Sequence, residues 1–446
     1  VTIIGYGFLL AFLPLSVLFY WSIPRKQQTR LWTLLTLSIL FYVLADARAL
    51  PVLIGLSVFT YFAASRRWLS AGILINLAVL VLFKLPSGTL SENSLLLPLG
   101  LSFFTFKHIG YLLDVGNKRI EHGNLLTFLT FSAFFPQISA GPISDFRDTG
   151  KQLDDLPAST DSSRIYTALT FISIGLAKKL VIADTIALSL DTTLYPQIDT
   201  GHGMIWAWMM VYLFALQIYF DFSGYTDIAL GVGQLFGVKL PPNFNAPYLA
   251  RNASQFWQRW HISLSVWFRI YLFTPMSRSL LKRWGRERSV QAQAAANLLT
   301  MALVGLWHGT GWGFVLWGVY HGVLLSLYAF ADRRGMRWPQ LPGVMFIAVL
   351  LGWALFLSPD LEFAGQFLGA MVGLDGIGNF VSVRALVDDL AVMAALVGTI
   401  ITFSGKAEAA TFPVRMTRGY AVGLGLLAAL AVLHLDRSVN FLYVQF

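Results

Sequence analysis

Apolar segments recur from one end of the chain to the other, at roughly 3–22, 31–45, 49–64, 68–84, 99–115, 123–143, 165–190, 204–220, 291–306, 311–331, 342–357, 384–403 and 415–434. A helix needs about 20 such residues to cross the hydrocarbon of a bilayer. In lipid the backbone must close its own hydrogen bonds, so such runs fold as helices. Composition agrees. Of 446 residues, 56% are apolar and 12% charged, where soluble domains carry about 25% charged residues. The expected fold class is therefore an all-α, multi-pass membrane protein, with about 11 transmembrane helices. The segment 99–115 and the region around 221–275 are interrupted by Gly, Pro and polar residues. One or two re-entrant or interfacial pieces are expected there. No long polar linker divides the sequence, so 1–446 reads as a single integral membrane domain, with its core motifs in 98–331.

The run Ile3 to Trp21 lacks a basic leader and a small-residue cleavage site, and Arg25, Lys26 and Arg30 follow it. It reads as a first membrane helix, not a signal peptide. Arg66 and Arg67 follow the third apolar segment, whereas the short loop Asp46-Ala47-Arg48 is nearly neutral. The positive-inside pattern puts 24–30 and 66–67 in the cytoplasm and the N-terminus outside. The basic stretch Arg278 to Arg288 and the triplet Arg333, Arg334 and Arg337 look cytoplasmic as well. The polar stretch 144–163 reads as a loop with a short surface helix.

The chain has no cysteine and a net charge of +9. Thiolate metal ligands, disulfides and an acyl-cysteine intermediate are excluded. The basic balance suits anionic membrane lipid. Nucleic acid is not expected, since no polar surface interleaves basic and aromatic residues.

Ionisable residues inside membrane segments are costly and are functional candidates. His308 lies in GLWHGTGWGF, among Gly305, Gly309, Gly311 and Gly313. Glycines there permit a close backbone approach or an unwound turn. One reading is a packing ring; the other is a ring presented to a cavity. A second Trp-His pair, Trp260-His261, favours function. Trp257, Trp260, His261, Leu264 and Phe268 follow helical spacing and predict one shared face. Trp257 and Trp260 fit an interfacial aromatic belt, and Trp307 flanks His308. Upstream, Asp221 and Asp227 bracket Tyr225 in IYFDFSGYTDIALG, where Asp221 or Ser223 could cap a helix after a break. The stretch KLPPNFNAPYLARN carries Asn243 and Asn245 and three prolines that forbid a regular helix. Residues 221–267 thus read as a folded-in element leading to His261. No metal-ligand spacing such as HExxH appears, and no metal or bound cofactor is expected. The set suits direct acyl transfer, in which a neutral imidazole removes the proton of an acceptor hydroxyl.

The motifs PLGLSFFTFKHIGYLLDV (98–115), FFPQISAGPI (134–143), GLAKKLVIAD (175–184), YFDFSGYTDIALG (219–231), NFNAPYLARNASQFWQRWHISLSVWF (243–268), GLWHG (305–309), WGVYHG (317–322) and FLYVQF (441–446) resemble, in order, those of the membrane-bound O-acyltransferase family. The similarity is to its bacterial branch of alginate O-acetyltransferases and teichoic acid D-alanyl transfer proteins. The resemblance implies that His308 is the family's near-invariant histidine and His261 the second histidine of this branch. It implies a ring of helices around a central funnel, in a bacterial inner (cytoplasmic) membrane. It implies an acyl donor such as acetyl-CoA or an acyl carrier protein thioester, a cell-surface polysaccharide acceptor, and a separate extracytoplasmic acyltransferase partner. Ile270 and Met276-Ser277 depart from the alginate-type pattern. The basic run to Arg288 looks more like the D-alanyl branch, while FLYVQF looks like the other. Acetyl transfer is the first expectation and D-alanyl transfer the second. A non-catalytic acyl-donor transporter or scaffold is the alternative from another class.

Overall fold

In a computed structural model, residues 3–24, 26–87, 97–197, 203–336, 341–385 and 387–439 are described. The closing FLYVQF motif, Arg25 and Arg337 lie outside them. Every regular element among the described residues is helical. Four helical stretches, Gln27–Ser65, Gly203–Leu235, Arg286–His308 and Trp312–Arg333, are long and apolar enough to cross a membrane. Five shorter apolar helices accompany them: Gly7–Ser22, Leu69–Lys84, Pro342–Leu357, Asp389–Phe403 and Arg418–Val432. The chain divides into two compact units. One comprises Val1–Leu176, Gly224–Pro242 and Pro413–Leu435; the other comprises Ala177–Ser223, Asn243–Phe412 and Asp436–Phe446.

The first unit contains α1 (Gln27–Asp46), α2 (Leu50–Ser65), α3 (Leu69–Ser87), α4 (Leu101–Gly116) and α5 (Leu125–Ala133). Between α1 and α2 the backbone of Asp46 leaves helical geometry (φ −156°, ψ 73°), so the two expected apolar segments remain separate helices. Helix α4 is the expected segment 99–115. Thirteen of its residues are buried, which explains its polar content: it is a core helix whose polar groups find partners inside the protein. His108 Nδ1 lies 3.1 Å from Asn76 Oδ1 on α3, and Nε2 lies 2.7 Å from Ser132 Oγ on α5 and 3.3 Å from Ser57 Oγ on α2. One imidazole therefore joins four helices. In the polar stretch, helix Phe146–Asp154 is capped by Asp145, whose carboxylate accepts from Asp148 N at 2.9 Å.

Helix α6 (Gly203–Leu235) corrects an expectation. The sequence reading placed a break near Asp221, with a cap there. Asp221, Ser223, Tyr225 and Asp227 instead lie within one continuous helix, because Gly224 packs where the main chain comes close: a Cβ on Gly175 would meet Gly224 O at 2.6 Å. The small residues mark helix contact, not a break. Residues 203–223 of α6 belong to the second unit and 224–235 to the first.

The second unit also holds α7 (Ala253–Trp257), α8 (Ile262–Phe268), α9 (Ser289–His308), α10 (Trp312–Arg333) and α11 (Pro342–Leu357). Helices α9 and α10 form a hairpin joined by Gly309, Thr310 and Gly311. Their backbones touch. A Cβ on Gly305 would lie 2.2 Å from Phe314 O, and one on Gly318 would lie 2.1 Å from Met301 O. Close approach is thus what the glycines around His308 provide.

Candidate functional site

The three-proline stretch before α7 is irregular, as expected, and Asn243 fixes its end. Asn243 is fully buried. Its backbone oxygen accepts from Ile262 N at 2.9 Å. Its side-chain Oδ1 accepts from Ser263 N at 3.2 Å and Ser263 Oγ at 2.6 Å. Between these anchors His261 adopts a left-handed conformation (φ 42°, ψ 54°) immediately before α8. The expected single helical face from Trp257 to Phe268 is therefore wrong: α7 stops at Trp257 and a new helix starts at Ile262. A left-handed non-glycine residue is costly, and here the Asn243 hydrogen bonds hold it. The spacing failed because the turn re-aims the ring without leaving a proline or glycine to mark it.

His308 is the last residue of α9 and is 2% exposed. Its ring lies among Trp307 (4.6 Å between centroids), Phe356 (5.1 Å) and Trp317 (5.2 Å). Trp307 also reaches the His261 ring, at 6.5 Å. The structure thus brings His261, Trp307 and His308 together. The contacts continue through Trp317 to a third buried histidine, His321 (5.1 Å), which packs on Trp257 (5.2 Å) and stacks on Phe256. His321 lies inside the WGVYHG motif but escaped the sequence reading, which weighed only the Trp-His pairs.

Trp257 opens onto a cavity of about 450 Å³. On α9 it is lined by Gln293, Asn297, Thr300, Met301 and Val304; on α10 by Leu325, Tyr328, Asp332 and Arg333. At helical spacing, the α9 lining residues share the face that carries His308 one turn beyond Val304. The α10 lining likewise leads to His321, one turn beyond Leu325. Arg269 and Arg333 also line the cavity, and Arg333 Nη1 donates to Ser289 Oγ at 3.1 Å, which ties the far ends of the hairpin. One end of the cavity, at Asp332 and Arg333, is therefore charged, and the other leads toward the histidines. The polar stripe Gln293, Asn297, Thr300 was a readable signal in the sequence: three polar residues at i, i+4 and i+7 of an apolar helix, continued by His308.

The remaining candidates are placed elsewhere. Asp221 pairs with Lys179 Nζ at 2.7 Å; Lys179 also binds Asp184 Oδ1 at 2.6 Å and donates to Val439 O at 3.0 Å. This is a buried ion cluster, although the neighbouring Phe222 ring touches His261 at 4.6 Å. Trp260 is 1% exposed and packs on Trp353 (5.0 Å) and Phe244 (5.1 Å). It belongs to the core, not to an interfacial belt as expected, because its ring is enclosed by other rings. Asn245 is exposed and contributes its backbone N–H to Arg259 O at 3.0 Å. Tyr225, bonded through its hydroxyl to Ser139, and the buried Asp227 belong to the first unit.

The profile of the membrane-bound O-acyltransferase family matches residues 17–355, a span that includes His261, His308, His321 and the whole cavity. The chain belongs to that family. Peptidoglycan O-acetyltransferase of Helicobacter pylori is 34% identical to this O-acyltransferase over 429 residues, covering 83% of this chain and 79% of the relative. A probable alginate O-acetylase of Azotobacter vinelandii is 34% identical over 401 residues, covering 82% and 76%. The teichoic acid D-alanyltransferase of Bacillus subtilis is 34% identical over 257 residues, covering 56% and 64%. The apolar helices of this family member agree with a multi-pass membrane protein.

Proposed function

We propose that this O-acyltransferase moves an acetyl group from a cytoplasmic thioester to a hydroxyl of a cell-surface polysaccharide, or to a relay residue on an extracytoplasmic partner, in the bacterial inner membrane. The observation that carries the reading is the cavity that climbs from a charged end, which includes Arg333, along the helix faces bearing His308 and His321. Acetyl-CoA, or the thioester of an acyl carrier protein, enters at Arg269 and Arg333, where guanidinium groups match phosphate. The acceptor approaches from the other side, through the funnel that a ring of about 11 helices would enclose. His308, as a neutral imidazole, takes the proton of the acceptor hydroxyl. The oxygen attacks the thioester carbonyl carbon, the C–S bond breaks, and the departing thiolate recovers the proton from the imidazolium. His261, across Trp307 from His308, bears on the acceptor. Charge patterning orients the molecule: cysteines introduced at Gln27 and Ser65 are expected to be labelled only from the cytoplasmic side.

D-alanyl transfer is the second reading, favoured by the match to the Bacillus subtilis D-alanyltransferase. The test separates all three classes. Purified protein is given acetyl-CoA, or a D-alanyl carrier thioester, with an oligosaccharide acceptor, and free thiol is counted. Acetyl-CoA-dependent release of thiol that His308→Ala abolishes is the expected result. Release from the D-alanyl thioester alone changes the acyl group. No release from either donor leaves a transporter or scaffold.

A further inference from the structure

Ala246 is the second left-handed residue in the stretch that leads to His261. It adopts φ 45° and ψ 60° although it carries a Cβ. Four non-glycine residues among those described have positive φ, and two of them, Ala246 and His261, lie in this stretch. The ends of the stretch are tied to each other. Asn245 N donates to Arg259 O at 3.0 Å, and Ile262 N donates to Asn243 O at 2.9 Å. Residues 243–262 therefore form a closed loop, with His261 at its junction, between the two ties. Left-handed non-glycine residues persist only where the surroundings over-determine them. Asn243 does so at His261. At Ala246 the group that does so comes from far along the chain.

That group is Glu408. It lies in the irregular segment between the helices Asp389–Phe403 and Arg418–Val432, and it is 7% exposed. Its backbone oxygen accepts from Thr411 N at 2.9 Å and Thr411 Oγ1 at 2.7 Å, which fixes its place. Its side-chain Oε1 accepts from Ala246 N at 2.8 Å and from the Tyr219 hydroxyl at 2.6 Å. Tyr219, on α6, packs on Tyr248 (5.2 Å), Phe244 (5.8 Å) and Trp260 (6.2 Å). One carboxylate oxygen thus holds the loop at its backbone and at the ring packed on it. Ala246 O accepts from Arg259 Nη1 at 3.4 Å, so the left-handed residue is tied through both its N–H and its C=O. A carboxylate is an expensive clamp. Glu408 Oε2 has no hydrogen-bond partner, and no cation pairs with Glu408 among the described residues. Burying a carboxylate without a cation is unfavourable, whereas Asp221 and Asp184 share Lys179. A loop that needed stability alone could carry glycine at 246, which adopts this conformation without strain. Backbone strain and an unbalanced buried charge instead meet in one loop, and its junction is His261.

Resting on the reading of His261 as a group of the acyl-transfer site, we propose that Glu408 is a positioning residue for His261: by clamping Ala246 and Tyr219 it makes the closed loop 243–262 present the imidazole in one orientation beside Trp307. Asn243 holds the loop at its junction, and Glu408 holds it at its other left-handed turn. Without the carboxylate Ala246 relaxes out of left-handed geometry. The tie from Asn245 to Arg259 then carries the shift to His261, two residues beyond Arg259.

The test uses the purified full chain in detergent, with isotope-labelled histidine for magnetic resonance. The chain has seven histidines, and the imidazole signal missing from His261→Ala identifies His261. Phe222 lies edge-on to that ring at 4.6 Å, so a small rotation moves the signal. Glu408→Ala is expected to shift it and to lower kcat per folded molecule about five- to tenfold, the effect of one hydrogen bond. Glu408→Gln keeps an acceptor oxygen at the same reach and is expected to restore the signal and most of kcat. A role in stability alone would lower only the melting temperature and the folded fraction. Should Glu408→Ala fail to accumulate, Glu408→Asp withdraws the oxygen from Ala246 by one methylene and is read in the same way. A His261 signal at its wild-type position in the folded Ala or Asp variant overturns the proposal. So does a shifted signal with unchanged kcat, or a Gln variant that behaves like Ala. A wild type that transfers no acyl group, while the signal still follows Glu408, refutes the acyl-transfer reading and leaves the hold on His261 standing.

Discussion

His108 in the first unit and His308 in the second are equally buried and differ in almost everything else. His108 sits in a closed polar network. Asn76 Nδ2 donates to Thr60 Oγ1 (2.9 Å) and Gly72 O (2.8 Å), so Asn76 presents Oδ1 to the ring as an acceptor. That assigns the proton to Nδ1 and leaves Nε2 to accept from Ser132. Ser57, 2.7 Å from Ser132 and 2.7 Å from Leu53 O, completes the hub. Both nitrogens are committed, and the ring can neither turn nor exchange its tautomer without breaking several bonds. His308 is gripped by aromatic rings. Contacts of that kind fix a ring by shape. Burial of a histidine in a membrane chain therefore does not by itself mark a functional site.

The sharpest test of this contrast is His308→Gln, which keeps polarity and removes the base. Transfer is expected to fall ~10²–10⁴-fold, the usual contribution of a general base, with abundance and melting temperature close to wild type. A glutamine variant that transfers at near wild-type rate would put His308 in the same class as His108.

Next in size is Asp221→Ala. It leaves Lys179 with Asp184 alone in a buried cluster, and removing one partner of such a pair costs about 3–5 kcal/mol. Membrane abundance and thermal stability should drop together, and residual activity should scale with the folded fraction. Were the purified variant to melt like the wild type while transfer alone collapsed, Asp221 would act on the substrate after all.

His108→Phe should follow, as a loss of stability without a loss of chemistry. It strips partners from Ser132 and Asn76 at about 1–3 kcal/mol for each group left unpaired. The melting temperature falls, while kcat per folded molecule stays put. A selective loss of kcat would break the comparison from the other side.

The smallest expected effect is that of Asn243→Ala. Ser263 loses its side-chain acceptor, a cost of about 1 kcal/mol, and the left-handed turn at His261 relaxes. If the cavity takes the acyl donor as proposed, turnover at saturating donor should fall several-fold with the donor KM little altered, since Asn243 holds His261 without lining that cavity. A rise in donor KM instead would tie His261 to the donor.

How much of this was legible beforehand follows a physical line. The helical fold was, because lipid forces every apolar run into a helix. The two Trp-His regions around His261 and His308 also stood out, because titratable rings in apolar text are rare, and the structure brings them together across Trp307. The course of α6 was not: Ser223, Gly224 and Tyr225 look like a break, and only the tight contact with Gly175 shows them to be a packing surface. Nor was the turn at His261, where a helical period runs through a backbone held left-handed by Asn243, a residue 18 positions earlier. Asp221 read as a cavity group because its cation, Lys179, is distant in sequence, and local pattern carries no information about such pairs. His321 was missed although its motif had been noticed, since a lone histidine becomes conspicuous only when its box of rings is seen.

The contact between α9 and α10 bears on how the protein is made. Their backbones meet at Gly305 and Gly318 with no room for a methyl group. The most apolar window of the stretch ending in α9 averages a hydropathy of 1.2, against 1.6 for α10. The polar stripe that lines the cavity is what lowers the first figure. A helix carrying Gln293, Asn297 and Thr300 partitions poorly into lipid when it emerges from the ribosome alone. Followed after three residues by a more apolar helix that fits against it, it can enter as half of a hairpin. The same polar residues that make the cavity useful thus make biogenesis of α9 depend on α10, and a chain truncated at Gly311 is expected to leave α9 outside the bilayer.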